Sequence, residues 1–270
     1  MTSPSDVLWV VQSNLGNADA LAALLDAFRA VQVPFRTVAA IPFSPDLPDI
    51  DWAGPVLFYG ATNFIASVIK SGRYHPGAFF SEERFRVSAW GPAYGDHLLN
   101  RGAEFTTLGE FAAQQHDADD LFFIRPDCDS KSFAGEVVRF GDFKEWSDRI
   151  SHGGFTLGPD ERIVVAEPQH IRREWRVFIV GGKAVAASQY RVSFRLEVSE
   201  ETPDEVLVFA EARALDYSPA PAFVLDVADT LAGLKVIEVN CLHSAGFYAA
   251  RVEPIVREVT RLAQAGAGGG

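Results

Sequence analysis

Val236-Ile-Glu-Val-Asn240 carries two oxygen-bearing side chains two positions apart, and Asp226 stands twelve residues before the first of them, in Phe223-Val-Leu-Asp-Val227. Side chains alternate faces along a strand, so Glu238 and Asn240 share one face while Ile237 and Val239 turn to the core. A neighbouring strand over 223–227 brings the Asp226 carboxylate to the same spot. Three hard oxygen ligands on one sheet face suit Mg²⁺, which takes one or two carboxylates together with waters and substrate phosphates. Asp226, Glu238 and Asn240 are therefore the candidate metal ligands, and a metal–nucleotide site is the first expectation. A solvated sheet face has the same alternation, so these residues alone leave both readings open.

The length of 270 residues fits one large or two small domains. With 48% of residues apolar and 22% charged, the chain has the composition to build a substantial core. The formal net charge of −12 argues against a nucleic acid or an acidic membrane surface as partner. It leaves ATP open, because a nucleotide is held by local cations and metal. No apolar run reaches the roughly 18 residues of a membrane-spanning helix. Met1–Asp6 lacks a basic segment followed by an apolar one, so no signal peptide is expected. Cys128 and Cys241 lie far apart without CxxC spacing, which predicts a reduced, cytoplasmic protein without disulfides.

Along the chain, strand patterns at 6–11, 33–38 and 55–59 alternate with helical spacing at 18–30 and 62–70, which predicts a small parallel α/β unit. Beyond Gly72 the pattern changes. Trp90–Gly95 reads as a turn and 93–100 as a short helix. Strands follow at 121–126, 136–140 and 162–168, with a helix over 142–149. Glu174–Val180 and Lys183–Arg191, split by Gly181-Gly182, have the signature of a hairpin. A helix over 203–215, the strand pair at 223–227 and 234–239, and a closing helix over 245–264 complete the reading, with Pro254 expected to break or kink the last.

Four segments fall in order: Phe123-Ile-Arg125-Pro126 with Lys131 and Phe133-Ala-Gly135; Val164-Val-Ala-Glu167-Pro168; Glu174-Trp-Arg176 through Gly-Gly-Lys183 with Arg191; and Asp226 with Glu238-Val-Asn240. Together they resemble the ATP-grasp superfamily, over roughly residues 80–260. The resemblance implies an α/β (α+β grasp) fold. A small N-terminal parallel α/β domain, 1–78, precedes an ATP-grasp domain of two α+β subdomains, 79–262, and a disordered tail, 263–270. Arg125 stands where many members have lysine, which marks an Arg-variant branch. The loop Asp127–Gly135 is longer and more charged than the usual Gly/Ser-rich phosphate loop.

What the resemblance implies about chemistry follows residue by residue. Arg125, Lys131, Arg176 and Arg191 are cations for the ATP triphosphate. Val164–Pro168 is the hinge against adenine, with Glu167 on the ribose or the adenine edge. Lys70 and Arg86 are the positional candidates for a further cation on the N-terminal side. Mg²⁺ bridges phosphate oxygens and offsets developing charge. The implied activity is that of a carboxylate–amine ligase. ATP converts a carboxylate into an acylphosphate and an amine then attacks, with Arg176 and Arg191 stabilising the charge that develops. A small-molecule kinase on the same scaffold, or a nucleotide-binding module without chemistry, are the alternatives. The expected partners are ATP and small-molecule or peptide carboxylates and amines, and a homodimer is compatible with the family. His243 either touches an acceptor or is structural.

Overall fold

The computed structural model describes residues 7–41, 44, 46–129, 133–152 and 157–267. The first part of the chain forms β1 (Leu8–Gln12), α1 (Ala18–Val31), β2 (Phe35–Val38), β3 (Val56–Tyr59), α2 (Thr62–Ser71) and the two-residue β4 (Pro76–Gly77). These four strands make a parallel sheet in the order β2-β1-β3-β4. Strand β1 is buried throughout because both its faces are covered: Leu8 and Val10 enter one core, Trp9 and Val11 another. Helix α1 opens on Asn17, whose side chain accepts from the Ala20 N–H, so an otherwise unpaired helix-start donor is satisfied.

The middle part holds α3 (Val87–Tyr94), β5 (Glu104–Thr107), α4 (Leu108–Ala112), β6 (Leu121–Pro126), β7 (Glu136–Arg139), α5 (Phe140–His152) and β8 (Arg162–Ala166). Its sheet is antiparallel, ordered β5-β8-β6-β7. The turn expected at 90–95 and the helix expected at 93–100 are replaced by α3. Val87, Trp90, Gly91 and Tyr94 are its buried residues, at helical spacing, and this apolar face outweighs the Gly91-Pro92 turn signal. Strand β5 and helix α4 are further elements, the latter started by a capping box between Thr107 and Glu110.

The last part holds β9 (Arg173–Val180), β10 (Lys183–Val192), β11 (Arg195–Ser199), α6 (Asp204–Asp216), β12 (Ala222–Thr230), β13 (Gly233–Asn240) and α7 (Val252–Ala267). Its five antiparallel strands run β11-β10-β9-β12-β13. Gly181 and Gly182 both have positive φ, 58° and 77°, as a two-residue hairpin turn requires. On β9 and β12, Trp175, Val177, Phe223 and Leu225 share one core with Val206 and Ala210 of α6. On the other face Phe178 and Val224 pack with Ile255 and Val256 of α7.

Helix α7 starts seven residues later than expected, after a single 3-10 turn at Leu242–Ser244. Pro254 therefore falls in its first turn, where the missing N–H is tolerated, and the expected break does not arise. The helix also runs through 263–267, placed in a disordered tail by composition; Ala263 is buried in the core, which holds this end in register. Residues 268–270 of that tail, and Met1–Asp6, lie outside the described residues. Among the described residues no helix is long and apolar enough to cross a membrane.

Candidate functional site

The α7-covered face of the third sheet is apolar at one end and polar at the other. Alternation along β9 puts Glu174 and Arg176 on the same face as Phe178, and along β12 puts Asp226 on the same face as Val224. This polar end faces Phe123 and Arg125 of β6 across a cleft of about 590 Å³. Arg125, Arg176, Arg191, Asp226 and Glu238 all line it.

Arg176 and Asp226 are opposite one another on β9 and β12. The guanidinium donates from Nε to Oδ1 at 2.9 Å and from Nη2 to Oδ2 at 2.7 Å, and Nη1 donates to the Gly246 carbonyl at 3.2 Å. Burial disfavours the Arg176 charge, but the Asp226 charge and hydrogen bonds outweigh it and raise the pKa above that of a free arginine. The stacked rings of Tyr190 and Tyr248, 5.0 Å apart, stand 5.8 and 5.1 Å from the guanidinium carbon. Tyr248 has φ 51°, a left-handed backbone that a tyrosine adopts only under constraint.

Glu238 is opposite Asp226 on β13, and its Oε1 accepts from Arg125 Nη2 across the cleft. A register shift between Asp226 and Val227 leaves Ile237 as the extra residue of a β-bulge. Val236 and Val239 thus both reach the core, whereas Ile237, expected in the core by strict alternation, lines the cleft. A second irregularity, on β10 between Gln189 and Arg191, brings the consecutive residues Tyr190 and Arg191 to the same cleft. Both hold Glu174: Tyr190 Oη donates to Oε2 at 2.6 Å and Arg191 Nη1 to Oε1 at 3.3 Å. Burial, with the charges of Asp226 and Glu174, pushes the Tyr190 hydroxyl well above its ordinary pKa, so it stays a donor.

Asn240 is buried behind Asp226. Its Nδ2 donates to Asp226 Oδ2 at 3.3 Å, which fixes the amide orientation and leaves Oδ1 without a hydrogen-bond partner. A buried amide oxygen left this way, beside two carboxylates, is a donor set that fits a hard divalent cation. Among the described residues no group of three His, Cys, Asp or Glu is placed to hold a metal ion, and this set differs by using an amide as its third member.

A family model described as an "ATP-grasp domain", the third family of its clade, matches residues 62–259. The chain belongs to this ATP-grasp family. Membership implies ATP use. Solved structures share the architecture across nearly the whole chain. D-cycloserine synthetase DcsG aligns with a TM-score of 0.63 at 12% identity, covering 95% of this chain and 99% of that one. A RimK domain ATP-grasp protein from Sphaerobacter thermophilus DSM 20745 aligns at 0.57 and 15%, covering 97% and 100%. The ATP-grasp ligase PsnB, solved with precursor peptide PsnA2 and AMPPNP, aligns at 0.57 and 14%, covering 98% and 99%. At these identities the likeness is one of fold, and it is the fold of ATP-grasp ligases. A search of curated proteins finds no match.

Within this ATP-grasp frame the remaining expectations separate. Lys131 lies outside the described residues. The loop around it is tied at its start. Buried Asp127 accepts from the Ser88 N–H and hydroxyl at 2.8 and 2.9 Å, and Asp129 accepts from the Cys241 N–H at 3.0 Å. Arg86 sits against Asp127 and Glu82, and neither Arg86 nor Lys70 lines the cleft. Glu167 is exposed just past β8 and is not among the residues lining the cleft. The last buried residue of that strand is Ala166, and Gln169, two residues after Glu167, reaches the cleft instead. Tyr190 and Tyr248 are cleft residues that the motifs did not single out, and Glu174, which opens the third motif, was given no role. For Glu174 the signal was present, since it precedes Arg176 by two on an alternating strand.

His243 is fully buried away from the cleft, with Nδ1 2.7 Å from the Phe58 carbonyl and its ring between Trp9 and Phe79. Burial holds its pKa down at about 4. A histidine neutral in the fold and basic when unfolded contributes stability that is complete above its unfolded pKa, near 6.5, and is lost as pH falls towards 4. The expected loss over this window is about 3 kcal/mol. Urea titrations at pH 7, 5.5 and 4.5 should show it, and His243→Gln should flatten the slope; an unchanged slope would remove His243 as its source.

Proposed function

We propose that this protein is an ATP-dependent carboxylate–amine ligase. The reading rests on one observation: the cleft is lined by three arginine–carboxylate pairs (Arg125–Glu238, Arg176–Asp226 and Arg191–Glu174), and Asp226 also accepts from Asn240, whose Oδ1 is unsatisfied. A cleft holding fixed cations and hard anions together is already charge-balanced. An incoming triphosphate takes hydrogen bonds from the arginines, and the carboxylates they release become free to hold a divalent cation. Asp226, Glu238 and Asn240 would hold Mg²⁺, which would supply positive charge to offset the charge developing at phosphorus. The solved relative PsnB carries Mg and ADP in one of its structures, which supports this assignment. Lys131 in the loop completes the proposed nucleotide contacts, with Gln169 at the cleft where Glu167 was expected.

In the proposed reaction a substrate carboxylate oxygen attacks the γ-phosphorus and ADP leaves. The amine then attacks the acyl carbon of the acylphosphate, and phosphate leaves as the amide forms. Arg176, still held by the Gly246 carbonyl and the rings of Tyr190 and Tyr248, and Arg191, against the Tyr190 ring, donate to the oxygens on which negative charge accumulates. No covalent enzyme intermediate is needed, and Cys241 is unsuited to one. It is fully buried, and burial together with Asp129 pushes its thiol pKa up to about 12. The proposed organisation places the parallel α/β unit (1–78) before the grasp domain (79–262).

The test is a screen of carboxylate–amine pairs that measures ADP and phosphate together. A ligase releases both in equal amounts only when both substrates are present. ADP without free phosphate, together with a stable phosphorylated product, would mark a kinase and contradict the proposal.

A further inference from the structure

Two buried anchors fix the segment that follows the 3-10 turn at Leu242–Ser244. Phe247 is buried and stacks on Tyr59 and Phe178, at centroid distances of 5.5 and 5.7 Å. Two residues on, the Ala249 N–H donates to the hydroxyl of Ser188 at 3.1 Å, and Ser188, fully buried on β10, is the residue opposite Arg176. Tyr248 is caught between these anchors. Its backbone takes φ 51°, and its ring lies in the cleft, stacked on Tyr190 and 5.1 Å from the Arg176 guanidinium carbon. A bulky residue held in this region carries a backbone cost that glycine would not. Burial offsets little of it, because Tyr248 is 45% exposed. What the ring gains there is its contacts with Tyr190 and Arg176.

Those contacts matter because the strongest hold on Arg176 is not permanent. Asp226 takes two of the guanidinium's hydrogen bonds and the Gly246 carbonyl a third. In the nucleotide complex proposed above, Asp226 is given over to the cation, and both of its hydrogen bonds to Arg176 are lost. The Gly246 carbonyl and the rings of Tyr190 and Tyr248 remain, and two of these three come from the one anchored segment. We infer that Tyr248 is a positioning residue: its ring keeps the released Arg176 facing the terminal phosphate, so that ATP is gripped in preference to ADP. A tyrosine stands at a backbone position suited to glycine because the site, rather than the fold, needs the ring there. The inference rests on the reading of the cleft as a nucleotide site.

Calorimetric titration of the full chain with Mg²⁺ and either ADP or a non-hydrolysable ATP analogue tests this on wild type, Tyr248→Gly, Tyr248→Asn and Tyr248→Phe. Glycine and asparagine accept the positive φ and remove the ring, whereas phenylalanine keeps the ring. Tyr248→Gly and Tyr248→Asn should bind the ATP analogue about tenfold more weakly than the wild type, and ADP within about twofold of it. Tyr248→Phe should bind both nucleotides as the wild type does. A role in folding alone would weaken both nucleotides together and leave their ratio unmoved. Melting curves verify the fold, and if one of the two variants without the ring fails to fold, the other carries the comparison. An unchanged ratio in the variants without the ring, or a loss in Tyr248→Phe equal to theirs, would overturn the inference while the nucleotide site stands. A wild type that binds neither nucleotide would contradict the reading of the cleft, and the inference with it.

Discussion

Asp226→Ala is expected to cost about 3–5 kcal/mol of stability and to abolish ATP turnover. The two losses have different origins. Arg176 is buried, and Asp226 supplies the only carboxylate hydrogen bonds its guanidinium makes among the described residues. Removing the carboxylate leaves a desolvated cation uncompensated, which is far more costly than removing the pair together. Urea denaturation measures the first loss, and ADP release measures the second. Replacing both partners, as in Arg176→Met/Asp226→Leu, should recover most of the stability, since a well-packed apolar pair substitutes for a buried ion pair. It should recover none of the turnover. A single variant that loses less than about 1 kcal/mol would mean that the charge at Arg176 is solvated in a way its burial does not indicate.

Glu238→Gln is expected to behave in the opposite proportion. The Arg125–Glu238 pair is partly exposed, at 13% and 26% of the side-chain surfaces, so the stability change should stay within about 1 kcal/mol. Turnover should fall at least about 100-fold, because a neutral amide replaces a charged candidate metal ligand. The Mg²⁺ concentration needed for half-maximal rate should rise as well. A Mg²⁺ titration of steady-state ADP release reads both, and undiminished turnover would take Glu238 out of the metal site.

How much of this was legible in the sequence depended on regularity. Where strands alternate without interruption, as along β9 and through Asp226 on β12, the cleft face could be read from spacing. Glu238 and Asn240 were placed correctly on the face of Asp226 because the bulge lies before them, at Ile237. Ile237 itself was misplaced for that reason: a one-residue insertion reverses the face of the residue that carries it, and nothing in Val-Ile-Glu announces it. Tyr190 was hidden the same way beside Arg191. The pairing of each arginine with a carboxylate was beyond reach, because Arg125 and Glu238 are brought together by two sheets rather than by any local pattern. The short α3 was missed because a Gly-Pro dipeptide masks an apolar face, and the edge strand β11 was missed because the hairpin reading stopped at Arg191, although apolar and polar residues alternate over 194–199.

The central claim is that the cleft between the second and third sheets binds a nucleotide through a divalent cation. Calorimetric titration with a non-hydrolysable ATP analogue, with and without Mg²⁺, on wild type and Glu238→Gln, tests it most directly. Mg²⁺-dependent binding to the wild type that is weakened at least about tenfold in Glu238→Gln is the predicted result. Binding of equal strength in both proteins, or no binding with or without Mg²⁺, would contradict it.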